Sequence, residues 1–393
     1  MNKSPGIMAV IRRESERIRR DHMSLLLMII LPLLSLVITA SIFYRGVPRE
    51  LPIIVCDADN STLSRLIKRS IDATSSMMIA TTVENLEQGK RKLLAGDGYA
   101  LIVLPENLER KVYRGEAPSV ICYNSNQFLL ITSIIKSDIT KVVQTISQKI
   151  YITYRLQNFH ETIQSAQRQS YPVRMDTHGL FNPSLNYMYY LLTSLMPTLF
   201  QIFVIMAAVY ACGRELKERT AKAWFDSSGS CAWKAIVGKL CPYTLIFFIT
   251  ALLIGVFLFL VFRIPFEGSI PYILLTTLVF ILAYQAIGLF IFSLTANMQL
   301  SLSFSAFYSA PAFAFAGVTF PHFAMPFLGR AWGNLLPLTH YLKILIDQSI
   351  RNIPPSFSMN AFLCLSIFPI ATLLFAIPRM RYLLCHDTYW GKL

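Results

Sequence analysis

The chain alternates between long uncharged apolar runs and polar stretches, and that pattern predicts most of its elements. Residues 23–44 carry no Asp, Glu, Lys or Arg. At about 1.5 Å per helical residue this run reaches about 33 Å, enough to cross bilayer hydrocarbon. A cleaved leader would have a shorter apolar core ending in small residues, whereas this run continues to Phe43 and Tyr44. It reads as a retained helix kinked near Pro32. Runs over 185–212, 240–262 and 357–377 predict further spans, the first of them kinked near Pro197. Residues 268–329 contain no charged side chain and are too long for one helix. The polar "ANMQLS" around Asn297 divides them into spans at about 272–294 and 300–317, giving six in all. Ahead of the first span, residues 1–22 place Ile7, Met8, Val10, Ile11 and Ile18 roughly on one face among basic residues, which predicts an amphipathic helix on the membrane surface.

The block 45–180 differs in kind, with 17 Lys/Arg and 13 Asp/Glu. Strand-like runs at 51–56, 77–83, 99–105 and 118–123 alternate with helical stretches at about 60–73, 84–95 and 106–113. Asn60 or Ser61 is placed to cap the first helix, and Gly96-Asp97-Gly98 marks a turn. Strands and helices at this spacing predict a small α/β domain. From 127 to about 169 the absence of Gly and Pro predicts one long helix, or two. The expected fold is therefore a polytopic α-helical membrane protein of six spans with an inserted α/β domain.

Composition agrees: 54% of residues are hydrophobic and 15% charged, whereas soluble chains are about one-quarter charged. The +14 formal charge would suggest nucleic acid on a soluble protein, but on an apolar chain it marks cytoplasmic loops, and no nucleic-acid partner is expected. Residues 1–22 hold six Lys/Arg, the 213–239 loop six and the 379–393 tail three. The positive-inside rule puts these segments in the cytoplasm and the 45–180 domain outside it.

Enzyme chemistry is not legible. Gly89-Lys90 lacks the rest of a phosphate-cradling loop. Asp57-x-Asp59-x-Ser61 opens like a calcium loop, but the glycine is missing and the twelfth position is Lys68. The six His, His322 and His340 among them, have no metal-ligand spacing, and seven Cys give no disulfide framework. Cys56 and Cys122 fall on expected strands of the outer domain, where oxidising conditions permit a disulfide and two buried free thiols are the other reading. No catalytic, metal or cofactor residue is expected. The apolar runs also lack the intramembrane carboxylates of an ion-coupled transporter. A membrane-anchored sensor or assembly protein, its outer domain binding a ligand, is the alternative class, but the largest cytoplasmic loop has only 27 residues.

Four stretches carry a family resemblance: "LPIIVCDADNSTLSRLIKRSIDAT", "YALIVLPENLERKVYRGEAPSVICYNSN", "GRELKERTAKAWFDSSGSCAWKAIVGKL" and "FAGVTFPHFAMPFLGRAWGNLLPLTHYLKI". In order and separation they resemble permease subunits of ABC-2-type exporters with a large extracytoplasmic domain between the first two spans. The resemblance implies a multi-pass permease of the bacterial cytoplasmic (inner) membrane. It implies a separate ABC ATPase that holds ATP and Mg, and a second copy or sister permease completing a dimer. The cargo expected is apolar or amphipathic: drug-like, lipid or glycan-lipid. A periplasmic membrane-fusion protein and membrane lipid are further expected partners. The 213–239 loop becomes the expected coupling segment, with Arg214, Glu215, Glu218 and Arg219 as charged contacts and Trp224 and Phe225 as an apolar anchor. Here the sequence departs from the family, which usually shows Glu-x-Gly-Thr and then Thr-Pro; this chain reads Glu218-Arg219-Thr220 and Ser228-Gly229. An Arg-Gly pair usual after the outer segment is also missing, with Asp347 and Asn352 near those positions. Gly317, Pro321, Pro326 and Pro337 mark an expected re-entrant outer segment at about 318–340. Phe304, Phe307, Tyr308, Phe313 and Phe315 are candidates for a cargo path, since ligand sites favour aromatic walls.

Overall fold

The computed structural model of the chain describes residues 5–44, 46–125, 127–159, 162, 181–182 and 186–391. It separates into two units, Met1–Tyr44 with Asn186–Leu393, and Arg45–Leu185.

Among the described residues of the first unit, five helices are long and apolar enough to cross a membrane: His22–Phe43, Met188–Lys217, Ala232–Val261, Ile270–Thr295 and Pro355–Cys385. They are called the first to fourth spans and the last span below. Prolines punctuate them. Pro32 lacks an amide hydrogen, and a π-helical turn at Leu26–Ile30 immediately precedes it. Pro197 and Pro242 lie inside the second and third spans, and Pro369 and Pro378 inside the last. The second and fourth spans are the most buried. They cross at Gly288, where a Cβ would stand 2.8 Å from the Ile205 carbonyl oxygen and 3.1 Å from Ala208 Cβ, so only glycine permits that approach. Around them Phe200, Phe247, Phe280 and Tyr284 form an aromatic core, with Phe200 edge-on to Phe247 and Phe280 edge-on to Tyr284.

The expected span at 300–317 is not a continuous helix. It forms Met298–Ser309, a break at Ala310-Pro311, and a short turn of helix at Ala312–Phe315. Pro311 ends the longer helix, which at 12 residues is about 18 Å long. Short helices follow at Phe327–Asn334 and Pro337–Ser349, each opening at a proline. The second of them buries Leu338, Tyr341, Leu342, Ile344 and Leu345. The third span also differs from its expected bounds. No breaker separates 232–239 from the apolar run, and the helix begins at Ala232, about two turns before residue 240.

In the second unit, β1 (Leu51–Asp57), β2 (Met77–Val83), β3 (Ala100–Leu104) and β4 (Ile121–Asn124) form one sheet in the order β2-β1-β3-β4. β1 pairs in parallel with β2 and β3, and β4 runs antiparallel to β3. Ser61 caps helix Thr62–Asp72 through the Ser64 amide, and Gly96 closes helix Leu86–Ala95 in the left-handed conformation. The long helix expected from 127 is continuous over Leu129–Phe159; its expected end near 169, and the boundaries at 180 and 185, lie outside the described residues. Cys56 on β1 and Cys122 on β4 are both free. With β3 between them their Cα atoms are about 10 Å apart by strand spacing, beyond the reach of about 7 Å for a disulfide. Burial pushes the Cys122 thiol up to about 11.

Asp57 ends β1 and is buried. Its carboxylate accepts the amides of Asn60 (2.9 Å) and Asp59 (3.2 Å) and the Ser64 hydroxyl (3.0 Å), and it pairs with Lys68 Nζ at 2.5 Å. Burial alone pushes the carboxyl up, but the Lys68 ammonium, the Asn60 amide and Ser64 outweigh it and hold Asp57 below the usual carboxylate range. A lowered folded value lends stability above the unfolded value of about 3.9, and that stability is lost as pH falls through the folded value. Asp57→Asn is expected to cost about 2 kcal/mol at pH 7. Hydrogen exchange of the β1 and β3 amides in the full chain should quicken by roughly thirtyfold, and the difference from wild type should shrink below about pH 4. Equal exchange at pH 7 would show that Asp57 does not hold this strand end.

Candidate functional site

A cluster of charged residues in the first unit gathers where the N-terminal helix, Ile7–Arg20, meets the end of the second span and the start of the third. The helix lays Val10, Glu14 and Ile18 inward at four-residue spacing. It can do so because Gly238 of the third span has no side chain; a Cβ there would meet Val10 Cβ at 2.8 Å and the Ile7 carbonyl oxygen at 3.0 Å. The expected membrane-surface helix thus packs its apolar stripe on protein. The Gly6 amide also bonds the Ser227 carbonyl oxygen (3.0 Å), fixing the start of the helix to the loop between the second and third spans.

This approach buries Glu14 beside Lys239 of the third span. Lys239 Nζ lies 2.7 Å from Glu14 Oε2 and 2.9 Å from Glu215 Oε1, and the Tyr243 hydroxyl donates to Glu14 Oε1 at 3.1 Å. Arg13 grips Glu215 with both terminal nitrogens, at 2.7 and 2.9 Å. Arg17 reaches Glu215 Oε1 at 2.5 Å and also pairs with Glu218. Arg214 bonds Glu218 (2.6 Å) and Asp21 (3.0 Å), and Asp21 caps the first span through the Ser24 amide. The Thr220 hydroxyl donates to Glu215 at 2.5 Å. Four cations therefore face four carboxylates across three helices, and the innermost charges are fully desolvated. Burial works against the Arg13 cation, but the Glu215 carboxylate outweighs it and raises Arg13 above its ordinary value.

The sequence-predicted loop residues divide between inside and outside. Glu215 and Trp224 are fully buried. Trp224 donates its indole N–H to the Ala235 carbonyl at 3.0 Å, and Lys239 Nζ sits 4.8 Å from its ring centroid. Trp224 therefore anchors the loop internally rather than offering an apolar surface to a partner, and Glu215 holds the N-terminal helix. Phe225 is half-buried, Arg214 is partly covered, and Glu218 and Arg219 are exposed with Lys217, Lys222 and Asp226. Arg219 has φ +59°. For a non-glycine residue this left-handed geometry costs about 1–3 kcal/mol. Sequence reasoning missed Glu14 and Lys239 as a pair. The signals were a carboxylate on the apolar stripe Val10-Glu14-Ile18 and a lysine abutting an uncharged run.

The outer and aromatic candidates lie elsewhere in this unit. Gly317 has φ +81°, Pro321 and Pro326 precede short helices, and Pro337 is buried at the start of Pro337–Ser349. Phe304 and Phe307 are exposed, whereas Tyr308, Phe313 and Phe315 are half-buried, and the Tyr308 hydroxyl donates to the Leu335 carbonyl (2.7 Å).

Comparison with known proteins agrees with this architecture. The ABC-2 family transporter protein profile matches residues 23–377, and the chain belongs to that family. A probable multidrug ABC transporter permease of Escherichia coli K12, YbhS, is 22% identical over 368 residues, covering 90% of this chain and 91% of its own length. A second such permease from that strain, YbhR, is 22% identical over 196 residues, covering 49% of this chain and 52% of its own.

Removing one member of a buried charge network strands its partners. Lys239→Met is expected to destabilise the chain by about 3–5 kcal/mol. Adding Glu14→Gln should recover part of that loss, with a coupling energy above about 1 kcal/mol in a double-mutant cycle. Unfolding in detergent, followed by tryptophan fluorescence, measures it. Strictly additive losses would mean that the two groups do not act on each other.

Proposed function

We propose that the chain is the transmembrane subunit of an ATP-binding cassette exporter that moves an apolar or amphipathic molecule. A separate ATPase subunit binds ATP and Mg and docks at the exposed charges around Lys217, Glu218 and Lys222. One observation carries this reading: Glu215 and Lys239 clamp the ends of the two spans that flank the loop to each other and to the N-terminal helix, and Thr220, Trp224 and Ser227 tie the loop onto those pieces. A loop so held passes any push on to the helices as a rigid piece. A merely solvated linker has no need of four-on-four charge pairing.

In this reading both ends of the chain and the loop face the cytoplasm, because the short segments there carry the excess Lys and Arg. The broken segment from Met298 supplies the sixth crossing, which returns the last span to the same side. The helices Phe327–Asn334 and Pro337–Ser349 form a re-entrant outer segment, supported by the burial of the second among the spans. The unit Arg45–Leu185 is then extracytoplasmic. A second permease copy completes the transport path, and the aromatic residues from Phe304 to Phe315 are placed to contact cargo along it. The multidrug naming of the relatives supports an apolar cargo.

Single-cysteine labelling tests the orientation. Lys90→Cys should react from outside intact cells, and Lys222→Cys only after permeabilisation; labelling of residue 222 in intact cells would invert the assignment. The purified chain alone should hydrolyse no ATP, since its sequence has no phosphate-cradling loop, and should retain a cognate ABC ATPase on co-purification. Hydrolysis by the chain alone would remove the basis for a separate motor.

A further inference from the structure

A second tether reaches the same loop from the far end of the first unit. Beyond the last span, the Gly391 amide donates to the Leu216 carbonyl oxygen at 2.9 Å, the oxygen that also accepts the Arg219 amide at 3.2 Å. Gly391 has φ +77°, and a Cβ on it would stand 2.6 Å from Arg219 Nε and 3.2 Å from Cζ. Its backbone therefore lies against the Arg219 guanidinium, in a left-handed conformation that disfavours any side chain. The residues before it are fixed to the last span. The Trp390 indole donates to the Leu383 carbonyl at 3.1 Å, and the Arg379 guanidinium lies 5.2 Å from the Tyr382 ring centroid and 5.8 Å from that of Tyr389. Arg379 also donates to the Ser293 carbonyl at 3.3 Å, near the C-terminal end of the fourth span, where a cation is favoured.

We infer that Tyr389 to Gly391 form a strap that locks the turn at Arg219 to the last span, and that Arg219 is a positioning residue for coupling. The choice of residue carries the argument. A left-handed turn by itself is best served by glycine, so an arginine there gains nothing for the backbone. What the side chain supplies is the surface on which Gly391 rests. The loop is thus held on one side by the N-terminal helix and on the other by the strap. Movement of the loop reaches the last span directly, and with it the short helices that precede that span in the chain. This inference rests on the coupling role proposed for the loop.

The test uses the full chain with its partner ATPase in lipid nanodiscs, with the exposed Cys241, Cys364 and Cys385 replaced by serine. Phe320→Cys, exposed in the outer segment, reports by its rate of maleimide labelling with and without ATP. Wild type should change its rate by about fivefold on ATP. Arg219→Gly relieves the backbone and so should fold at least as well; Gly391→Val strains the left-handed turn at φ +77° and so loosens the strap. Both should still bind the ATPase, yet their ATP response should fall below about twofold. A wild-type response in both variants overturns the inference. Loss of ATPase binding in either also overturns it, because the strap would then belong to the docking surface. If the wild-type complex does not form, or ignores ATP, the proposed function itself fails and the strap's role with it.

Discussion

A charge can be buried in this protein only where its opposite is brought to meet it, and that requirement fixes the joint between the N-terminal helix and the second and third spans. Removing one ion from water costs several kcal/mol, and the cost is offset only when geometry and hydrogen bonds are nearly complete. Glu14, Glu215 and Lys239 meet that condition because three helices converge on them and Arg13, Tyr243 and Thr220 occupy the remaining positions on the carboxylates. None of those helices can shift by a turn without stranding a charge. The pairing is thus weak evidence for stability and stronger evidence for one specified arrangement.

The rest of the first unit follows from that arrangement. The N-terminal helix enters at Gly238, the second and fourth spans cross at Gly288, and the last span returns to the loop through its strap. Apolar contact between helices is non-directional in a lipid setting, so close approach at small residues and polar pairing at the ends decide who neighbours whom. In the proposed function this makes the loop a handle. Its exposed charges face a partner, while its buried ones grip two spans and the leading helix.

Much of this was legible in the sequence, for reasons that particular residues make clear. Uncharged runs located five long helices, with ends off by up to about two turns, because length and the absence of charge locate a span but not the charged turns that extend it. The sheet was visible because β-branched runs such as Ile53 to Val55 alternate with capped helices. The segment expected as a span at 300–317 is broken rather than continuous, because hydropathy does not register the break that Pro311 imposes. The 213–239 loop was drawn too long, because Lys239 looks like a loop charge until the Glu14 that neutralises it is known to sit against it. Glu215 and Trp224 looked like a docking surface for the same reason: spacing places residues on a face but does not say what covers that face. Arg219 is a related case. The loop's departure from the usual Glu-x-Gly-Thr pattern is plain in the sequence, but the strap that rests on Arg219 comes from more than 170 residues away.

In the proposed coupling the N-terminal helix, the loop and the adjoining span ends move as one piece. Spin labels at Met8 and Lys222, both exposed, measure the distance between the helix and the loop. In the complex with its ATPase, that distance should be the same with and without ATP, with a single narrow distribution in each case. A distance that shifts or splits on ATP addition would show that the helix and loop part company during the cycle, and the charge network would not be the joint described here.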